Sequence, residues 1–140
     1  MNALIDTNVI LDDILDRAPS AEDARKISQL VTHGIIQGHI TANCLTDIFY
    51  IVSKNRSEAV ARKTVKNLLL VFSVVSVNGD DCQDAIDLPM RDFEDALVMV
   101  CAEKANLDYI ITNDRDFLID ANLSVPAIRP ADFLLKGYEY

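Results

Sequence analysis

Acidic residues stand next to apolar runs at several separate points in this chain. Asp6 ends the first apolar run, and Asp114 and Asp116 follow another within the segment YIITNDRDF. Asp47 lies in ANCLTDIFYIV, and Asp95 lies in RDFEDALVMV. If these acids meet in the folded chain, mutual repulsion and lost hydration favour their protonation unless a cation is bound.

A divalent cation is the counter-charge that these residue types favour. Carboxylate oxygens are hard ligands that suit Mg²⁺ or Mn²⁺. A bound ion of this kind activates a water molecule as a nucleophile, and a pair of ions also stabilises the leaving oxygen of a phosphoryl displacement. The acids therefore indicate metal-dependent hydrolysis of phosphodiesters.

Short apolar strands and amphipathic helices alternate along the chain and must position these acids. Strands are predicted at Ala3–Ile5, His39–Ala42, Val74–Val77 and Tyr109–Thr112, with a fifth indicated at Val125–Ile128. Helices are predicted at Val9–Leu15, Ala21–Ile36, Leu45–Val52, from Ser57 to Phe72, through Ala85 and Ile86, at Phe93–Lys104 and, after Pro130, to near Gly137. Asn43 and Ser57 are the expected N-caps of the third and fourth helices.

This alternation predicts the fold. Strands separated by helices, without hairpin signals between them, pair in parallel through crossover helices. We therefore expect an α/β protein, a three-layer α/β/α sandwich with a central parallel sheet of four to five strands. No linker, repeat or low-complexity stretch interrupts residues 1–140, so a single domain is expected. Ligands of such sheets bind beyond the carboxyl ends of the strands, where Asp6 and Asp114 would lie.

Composition narrows the class of protein. The 140 residues carry 13 Lys and Arg against 22 Asp and Glu, a formal charge of -9, which argues against binding nucleic acid by bulk electrostatics alone. No apolar run has the length of a membrane span, and the N-terminus lacks the order of a secretion signal. We therefore expect a cytoplasmic protein that does not associate with a membrane.

Basic residues are nevertheless concentrated in one segment. They are Lys54, Arg56, Arg62, Lys63 and Lys66, against the single acid Glu58. This segment is expected either to line a path for an RNA backbone or to form an ordinary solvated helix face.

Other reactive residue types do not form a competing site. Cys44, Cys82 and Cys101 lack metal-binding spacing and are expected to be reduced core residues. His33 and His39 lie beside glycines and are expected to be ordinary surface or core residues. A phosphate-transfer pocket of the receiver or haloacid-dehalogenase kind normally has a lysine after a late strand, where this chain has acids.

Four segments together resemble the PIN-domain nuclease family, which includes the toxin ribonucleases of bacterial and archaeal toxin-antitoxin pairs. The segments are LIDTNVILD, LTDIFYIV, DFEDAL and YIITNDRDF, and they occur in the family's order over nearly the whole chain. The resemblance implies a parallel sheet, a Mg²⁺- or Mn²⁺-dependent endoribonuclease and, often, a homodimer held by an antitoxin.

Carried over residue by residue, the resemblance makes Asp6, Asp47 and Asp95 the first three family acids. The second acid is more often Glu in this family, so the shorter Asp47 reaches a metal through water or does not bind it. The last acid is Asp114 or Asp116, because family members place it at either of two offsets. We favour Asp114 and therefore expect Asp6, Asp95 and Asp114 as metal ligands, with Asp116 as a supporting or substitute ligand.

Four further residues are expected to support these acids. Thr7, Asn8 and Thr112 resemble family residues that orient the carboxylates by hydrogen bonds. Asp92 precedes Asp95 by three residues, so it is expected either to cap the helix or to support the site, and the cap is the favoured interpretation.

Two functions remain open on the sequence. One is metal-dependent hydrolysis of single-stranded or structured RNA, by the toxin of a toxin-antitoxin pair with a cognate antitoxin protein as partner. The other is a catalytically inactive module that binds RNA or a partner protein. A homodimer is favoured by the resemblance and by apolar helices such as Leu45–Val52, which fit a core equally well.

Overall fold

Five parallel strands form the sheet of the computed structural model, which describes residues 1–120 and 123–137. The strands are β1 (Asn2–Ile5), β2 (Gln37–Thr41), β3 (Ser73–Val75), β4 (Tyr109–Ile111) and β5 (Ala127–Ile128). Their order across the sheet is β3-β2-β1-β4-β5, and each neighbouring pair is parallel. The predicted parallel α/β architecture is confirmed.

Eight helices occur in the described residues. They are α1 (Thr7–Ile14), α2 (Ala21–Thr32), α3 (Ala42–Asn55), α4 (Glu58–Val71), α5 (Gly79–Asp87), α6 (Phe93–Lys104), α7 (Arg115–Leu118) and α8 (Pro130–Leu134). The longest, α3 and α4, have 14 residues each. Within the described part of the chain, no helix combines the length and the apolar character needed to cross a membrane.

Apolar strand residues alternate between the two faces of the sheet, and this alternation builds the three layers. Ala3 and Ile5 of β1 are buried in one cluster with residues of α1 to α4 and α8, whereas Leu4 is buried in another with residues of α6. Ile111 and Ile110 of β4 divide between the same two clusters. Successive strand side chains point to opposite faces, so the sheet carries helices on both.

The two central strands bring separate parts of the sequence to one edge. Ile5 of β1 pairs with Ile111 of β4, and the Asp6 amide donates to the Ile111 carbonyl oxygen at 3.0 Å. This register places Asp6, directly after β1, beside Thr112, directly after β4. The carboxyl edge of the sheet is therefore where the predicted site residues begin to converge.

The predicted end of the second helix is wrong. Helix α2 ends at Thr32 rather than at Ile36, because Gly34 adopts a left-handed backbone conformation with φ of +72°. A continued right-handed helix does not allow that conformation, which glycine adopts without a steric penalty. Ile36 nevertheless lies in the core, with 1% of its surface exposed.

The predicted cap of the third helix is also wrong. β2 ends at Thr41, the last residue paired with β3, and α3 begins directly at Ala42 with Thr41 as its N-cap. Asn43 therefore lies within the first turn. By contrast, Ser57 caps α4 as predicted, and its hydroxyl oxygen accepts a hydrogen bond from the Val60 amide at 3.2 Å.

Candidate active site

A hollow of about 420 Å³ opens at the carboxyl edge of the sheet. Six acids line it and give it its name here, the acidic hollow: Asp6, Asp47, Asp92, Glu94, Asp95 and Asp114. They come from the ends of β1 and β4, from α3, and from the start of α6. The structure thus brings together acids from all four segments that the sequence singled out.

Asp6 is the most buried of these acids, with 7% of its surface exposed. Its Oδ1 accepts from the Thr7 amide at 2.8 Å, and its Oδ2 accepts from Thr112 Oγ1 at 2.7 Å and Asn8 Nδ2 at 3.0 Å. Burial raises the pKa of Asp6 although these bonds oppose the shift, and the Asp114 charge adds to it. The carboxyl group is held by three hydrogen bonds, but no cation from the described residues contributes to offsetting its lost hydration.

Thr112 connects the ends of the two central strands. Its hydroxyl group donates to Asp6 Oδ2 and accepts from the Asp114 amide at 3.0 Å. A threonine hydroxyl has one donor and two acceptor positions, so both contacts are made at once. Thr112 therefore fixes Asp6 and the backbone of Asp114 relative to each other.

Asn8 and Thr7 support Asp6 in different ways. Asn8 uses its side chain, whose amide nitrogen bonds Asp6 and whose Oδ1 accepts from the Asn113 amide at 3.3 Å. Thr7 contributes through its backbone amide, which any residue except proline would supply. Both residues therefore bond the Asp6 carboxylate, Asn8 through its side chain and Thr7 through its backbone.

Asp95 lies in the first turn of α6, where Asp92 is the N-cap. Asp92 Oδ1 accepts from the Asp95 amide at 3.0 Å, as the cap interpretation predicts, and Asp92 also lines the acidic hollow. Partial burial is the largest cause that raises the pKa of Asp95 from 3.8 to about 7, and the charges of Asp114, Asp92, Asp6 and Glu94 are the further causes. These acids are therefore close enough to repel one another strongly.

Asp114 and Asp116 are separated by the fold. Asp114 caps α7, since its Oδ1 accepts from the amides of Asp116 at 2.9 Å and Phe117 at 3.4 Å, and it lines the acidic hollow. Asp116 is exposed and lines a smaller neighbouring hollow instead. The structure therefore places Asp114, and not Asp116, with Asp6, whereas Asp95 lines both hollows.

Glu94 is an acid of the hollow that the sequence analysis missed. Partial burial is the largest cause that raises the pKa of Glu94. The charge of Asp47 on α3 is the next cause, and a side-chain hydrogen bond between Glu94 and Asp47 raises the pKa as well. Adjacent residues of a helix point in different directions, so the helical pattern did not place Glu94 and Asp95 in one site. The side chains of Glu94 and Asp95 nevertheless both line the acidic hollow.

Arg17 was missed as well, and it is the basic side chain among the described residues that line the acidic hollow. Its Nε donates to Asp12 Oδ1 at 2.9 Å, and its Nη2 donates to the Asn8 carbonyl oxygen at 3.3 Å. Asp12 belongs to the quoted segment LIDTNVILD, but nothing in the sequence pairs it with Arg17. Because Arg17 is already paired with Asp12, the hollow keeps an excess of negative charge.

The predicted RNA-binding residues lie elsewhere, on the exposed surface of α3 and α4. None of Lys54, Arg56, Arg62, Lys63 and Lys66 is among the residues that line the acidic hollow. Lys54 Nζ lies 4.9 Å from the centre of the Tyr50 ring, and Arg62 pairs with Glu58 at 2.9 Å. Their positions suit either a remote contact surface or a solvated helix face.

The cysteines provide no rival nucleophile. All three are free, and Cys44 and Cys101 are buried. Burial raises the pKa of the Cys44 thiol to about 11, so the reactive thiolate is scarce near neutral pH.

The donor set of the acidic hollow suits a hard divalent cation, because it consists of carboxylate oxygens whose charges are not matched by the protein. As the side chains stand, no three His, Cys, Asp or Glu residues in the described ranges lie close enough together to hold one metal ion. Binding at this site would therefore require the carboxylates to turn toward a common point.

Known proteins resemble this chain in sequence pattern and fold. A family model described as PIN domain matches residues 2–116. VapBC2 from Rickettsia felis, bound to a promoter DNA fragment, gives a TM-score of 0.67 at 15% identity over 92% of this chain and 98% of that chain. A toxin-antitoxin complex from Klebsiella pneumoniae gives 0.66 at 19% identity, over 91% and 97%.

A third similar structure is VapC20 from Mycobacterium tuberculosis, a toxin that cleaves the sarcin-ricin loop. It gives a TM-score of 0.63 at 13% identity, over 87% of this chain and 92% of that chain. A search of curated protein sequences gave no match. At these identities the structural likeness concerns the fold.

Proposed function

The chain belongs to the PIN-domain family, and on that premise we propose that it is a metal-dependent endoribonuclease that hydrolyses RNA in the acidic hollow. One observation carries the proposal. Asp6 and Asp114, which follow neighbouring strands, line one hollow with Asp95 of α6, whose pKa is raised to about 7 by partial burial first and then by neighbouring charges that include these two. Perturbed acids gathered in a hollow from separate elements are typical of catalytic sites.

Asp6, Asp95 and Asp114 are the proposed ligands of Mg²⁺ or Mn²⁺. When bound, such an ion supplies charge stabilisation and lowers the pKa of a coordinated water molecule. Thr112 and Asn8 hold Asp6 in one orientation, and Asp114 keeps Oδ2 available because its capping bonds use Oδ1. A bound cation would offset the burial and the repulsion that raise the pKa of Asp95, and would so favour its ionised form.

Asp47 and Glu94 form the outer part of the proposed site. Their side chains are hydrogen-bonded, and Glu94 is the longer of the two. We propose that Glu94 supplies the reach that Asp47 lacks compared with the glutamate more common in the family. The pair would then hold water, or one side of a bound ion, at the mouth of the hollow.

The RNA backbone needs positive charge near this acidic site. Arg17 is suitably placed, and its anchoring by Asp12 orients its guanidinium group before substrate binds. Farther along α3, Lys54 lies seven residues after Asp47, which is two turns and hence the same side of the helix. We propose that Lys54, Arg56, Arg62, Lys63 and Lys66 guide the more distant part of the RNA.

We further propose that the protein is the toxin of a toxin-antitoxin pair, neutralised by a cognate antitoxin, and that it forms a homodimer. The likeness to solved toxin-antitoxin complexes supports the first point. The second is supported by exposed apolar side chains along α3 and α4, among them Tyr50 at 60%, Leu69 at 53% and Leu70 at 85% exposure.

A cleavage assay tests the proposed activity. Purified protein is incubated with labelled single-stranded RNA in Mn²⁺ or in excess chelator, together with Asp6→Asn and Asp95→Asn. Asp84→Asn is the matched control, because Asp84 is an exposed acid of α5 outside the acidic hollow. We expect cleavage by the wild type and the control in Mn²⁺, and its loss in chelator and in both site variants.

Two results would contradict this proposal. Cleavage that persists in chelator, or in both site variants, would rule out the metal site formed by these acids. Binding of RNA without cleavage in any divalent metal would favour the alternative, an inactive PIN-like binding module.

A further inference from the structure

A second hollow, of about 240 Å³, adjoins the acidic hollow and shares Asp92 and Asp95 with it. We call it the side hollow. Its walls combine four apolar residues with five charged ones: Pro89, Met90, Phe117 and Ile119, and Arg91, Asp92, Asp95, Asp116 and Asp120. A ligand in the side hollow would therefore lie next to the acids proposed to act on RNA.

Asp116 lines the side hollow from the first turn of α7. Its amide donates to Asp114 Oδ1 at 2.9 Å, and the next residue, Phe117, is 1% exposed and anchors α7 in the core. The carboxylate oxygens of Asp116 form no hydrogen bond with any residue the structure describes. Asp114 thus lines the acidic hollow, and its Oδ1 holds the backbone of Asp116, which lines the side hollow.

The chemistry of the side hollow disfavours a phosphate and suits an uncharged, flat ring. Its four acids would repel a phosphate group, whereas its four apolar residues favour contact with a heterocycle. The volume is below the roughly 300 to 1,000 Å³ of pockets that take drug-sized ligands. A single nucleobase is a ligand of the appropriate kind and scale.

We propose that the side hollow binds one base of the RNA beside the cleaved bond, and that Asp116 recognises guanine there. This proposal rests on the function proposed above. An ionised carboxylate has two oxygens that only accept hydrogen bonds. Guanine alone among the four RNA bases presents two adjacent N–H donors, at N1 and N2, on its Watson-Crick edge, so the two groups match as a bidentate pair.

Arg91 completes the side hollow. It lines the hollow, is exposed, and has no ion-pair partner within residues 1–120 and 123–137. A cation at this position can contact the phosphate that flanks a bound base or stack on the base itself. The arrangement also gives the two acids of the NDRDF segment separate tasks, with Asp114 at the reacting centre and Asp116 at the base.

The test compares guanosine with inosine, which lacks only the 2-amino group. Two single-stranded RNAs, identical except for guanosine or inosine at one position in an oligouridine context, are cleaved by the wild type in Mn²⁺. We expect cleavage at a fixed offset from that position, with kcat/KM about tenfold higher for guanosine, because a site built to accept a hydrogen bond discriminates against a ligand that lacks the donor.

The variant Asp116→Ala identifies the residue responsible. In this variant we expect guanosine and inosine to be cleaved equally, whereas Asp84→Asn should keep the wild-type ratio. A purely structural effect of Asp116→Ala would lower both rates and leave their ratio unchanged. Equal kcat/KM values for the two RNAs in the wild type, or an unchanged ratio in Asp116→Ala, would overturn the base assignment and leave the proposed function intact.

A binding measurement separates the two proposals. Affinities for the same RNAs are measured by fluorescence anisotropy with Asp6→Asn and with Asp6→Asn/Asp116→Ala. We expect about tenfold tighter binding of the guanosine RNA by the first protein and equal binding by the second. If no RNA is cleaved by the wild type, the proposed function fails, and equal affinities in the first protein overturn the base proposal.

Discussion

Helices α5 and α6 begin with the same local arrangement. Asn78 caps α5 and Asp92 caps α6, and each accepts a hydrogen bond at 3.0 Å from the amide of an acid three residues later, Asp81 or Asp95. Asp81 returns the bond, because its Oδ2 accepts from the Asn78 amide at 3.0 Å, and Lys104 Nζ lies 2.6 Å from the same oxygen. No corresponding cation accompanies Asp95 among the described residues.

The two acids consequently differ in their ionisation. The hydrogen bond from Lys104, supported by that from Asn78, lowers the pKa of Asp81. Partial burial and the surrounding acids raise the pKa of Asp95 to about 7. The two acids are connected by α6. Its last residue, Lys104, pairs with Asp81 of α5, whereas its first turn contains Asp95, which pairs with no cation among the described residues. An acid paired within the fold stabilises it, whereas an acid that is partly buried among other acids destabilises it when ionised.

The largest expected effect of this difference is on catalysis. Asp95→Asn should lower kcat/KM for RNA cleavage in Mn²⁺ at least about 100-fold, because even groups that only orient metal ligands cost about 10- to 100-fold when mutated. Asp81→Asn removes a similar group from a similar helix position but should retain activity at temperatures where it stays folded. Comparable losses in the two variants would show that the local helix start, rather than the acidic surroundings, matters for activity.

The next effect concerns the stabilisation of the folded protein by metal. A ligand that binds only the folded state at 100 times its dissociation constant adds about 2.7 kcal/mol to the free energy of unfolding. We expect Mn²⁺ to raise the melting temperature of the wild type and of Asp81→Asn, and to have little effect on Asp6→Asn or Asp95→Asn. Thermal unfolding with and without Mn²⁺ measures this, and an equal shift in all four proteins would place the bound metal elsewhere.

The pH dependence of the metal-free protein should distinguish the same two acids. The folded-state pKa of Asp95, about 7, lies above its ordinary value of 3.8, so ionisation destabilises the fold. The penalty is absent below about pH 4, grows as pH rises and is complete above about pH 7. Since Asp95 is only partly buried, solvent screening limits it to about 1–2 kcal/mol.

Denaturant unfolding in chelator between pH 5 and 8 measures this effect. The wild type should lose stability as pH rises, Asp95→Asn should lose less, and added Mn²⁺ should reverse the loss in the wild type. Asp81 has the opposite sign, because its lowered pKa stabilises the fold at neutral pH and this contribution is lost on acidification. A pH profile that Asp95→Asn leaves unchanged would contradict the assignment to Asp95.

The sequence predicted the edge of the sheet where the acids meet, because strand ends can be recognised from short apolar runs. The resemblance selected Asp95 and not Asp81, but the local pattern did not show why they differ. Both acids lie three residues after a capping residue, and the cation that pairs with Asp81 is distant in sequence. Lys104 reaches Asp81 only because α5 packs against α6. Glu94 was missed for a related reason: helix periodicity assigns directions to side chains but does not give the width of the hollow they face.

The smallest expected effect concerns how each acid is held in place. Asp81 is held partly by a cation, whereas the side-chain contacts that hold Asp6 come from neutral groups, Thr112 Oγ1 at 2.7 Å and Asn8 Nδ2 at 3.0 Å. Thr112→Val removes the hydroxyl group at nearly constant shape. It should lower the free energy of unfolding by about 1 kcal/mol and kcat/KM by about tenfold, because Asp6 and the Asp114 amide both lose their common partner.

Thr112→Ser is the matched control for that prediction, because serine keeps the hydroxyl group and should retain most of the activity. Denaturant unfolding and single-turnover cleavage in Mn²⁺ measure the two effects separately. If Thr112→Val loses stability but cleaves RNA at the wild-type rate, the hydroxyl group only supports the fold, and Asp6 needs no orientation by a neutral donor. A loss of cleavage confined to the valine variant would instead show that activity depends on how neutral hydrogen bonds orient the carboxylate of Asp6. Asp81, by contrast, is held by its contact with the charged Lys104.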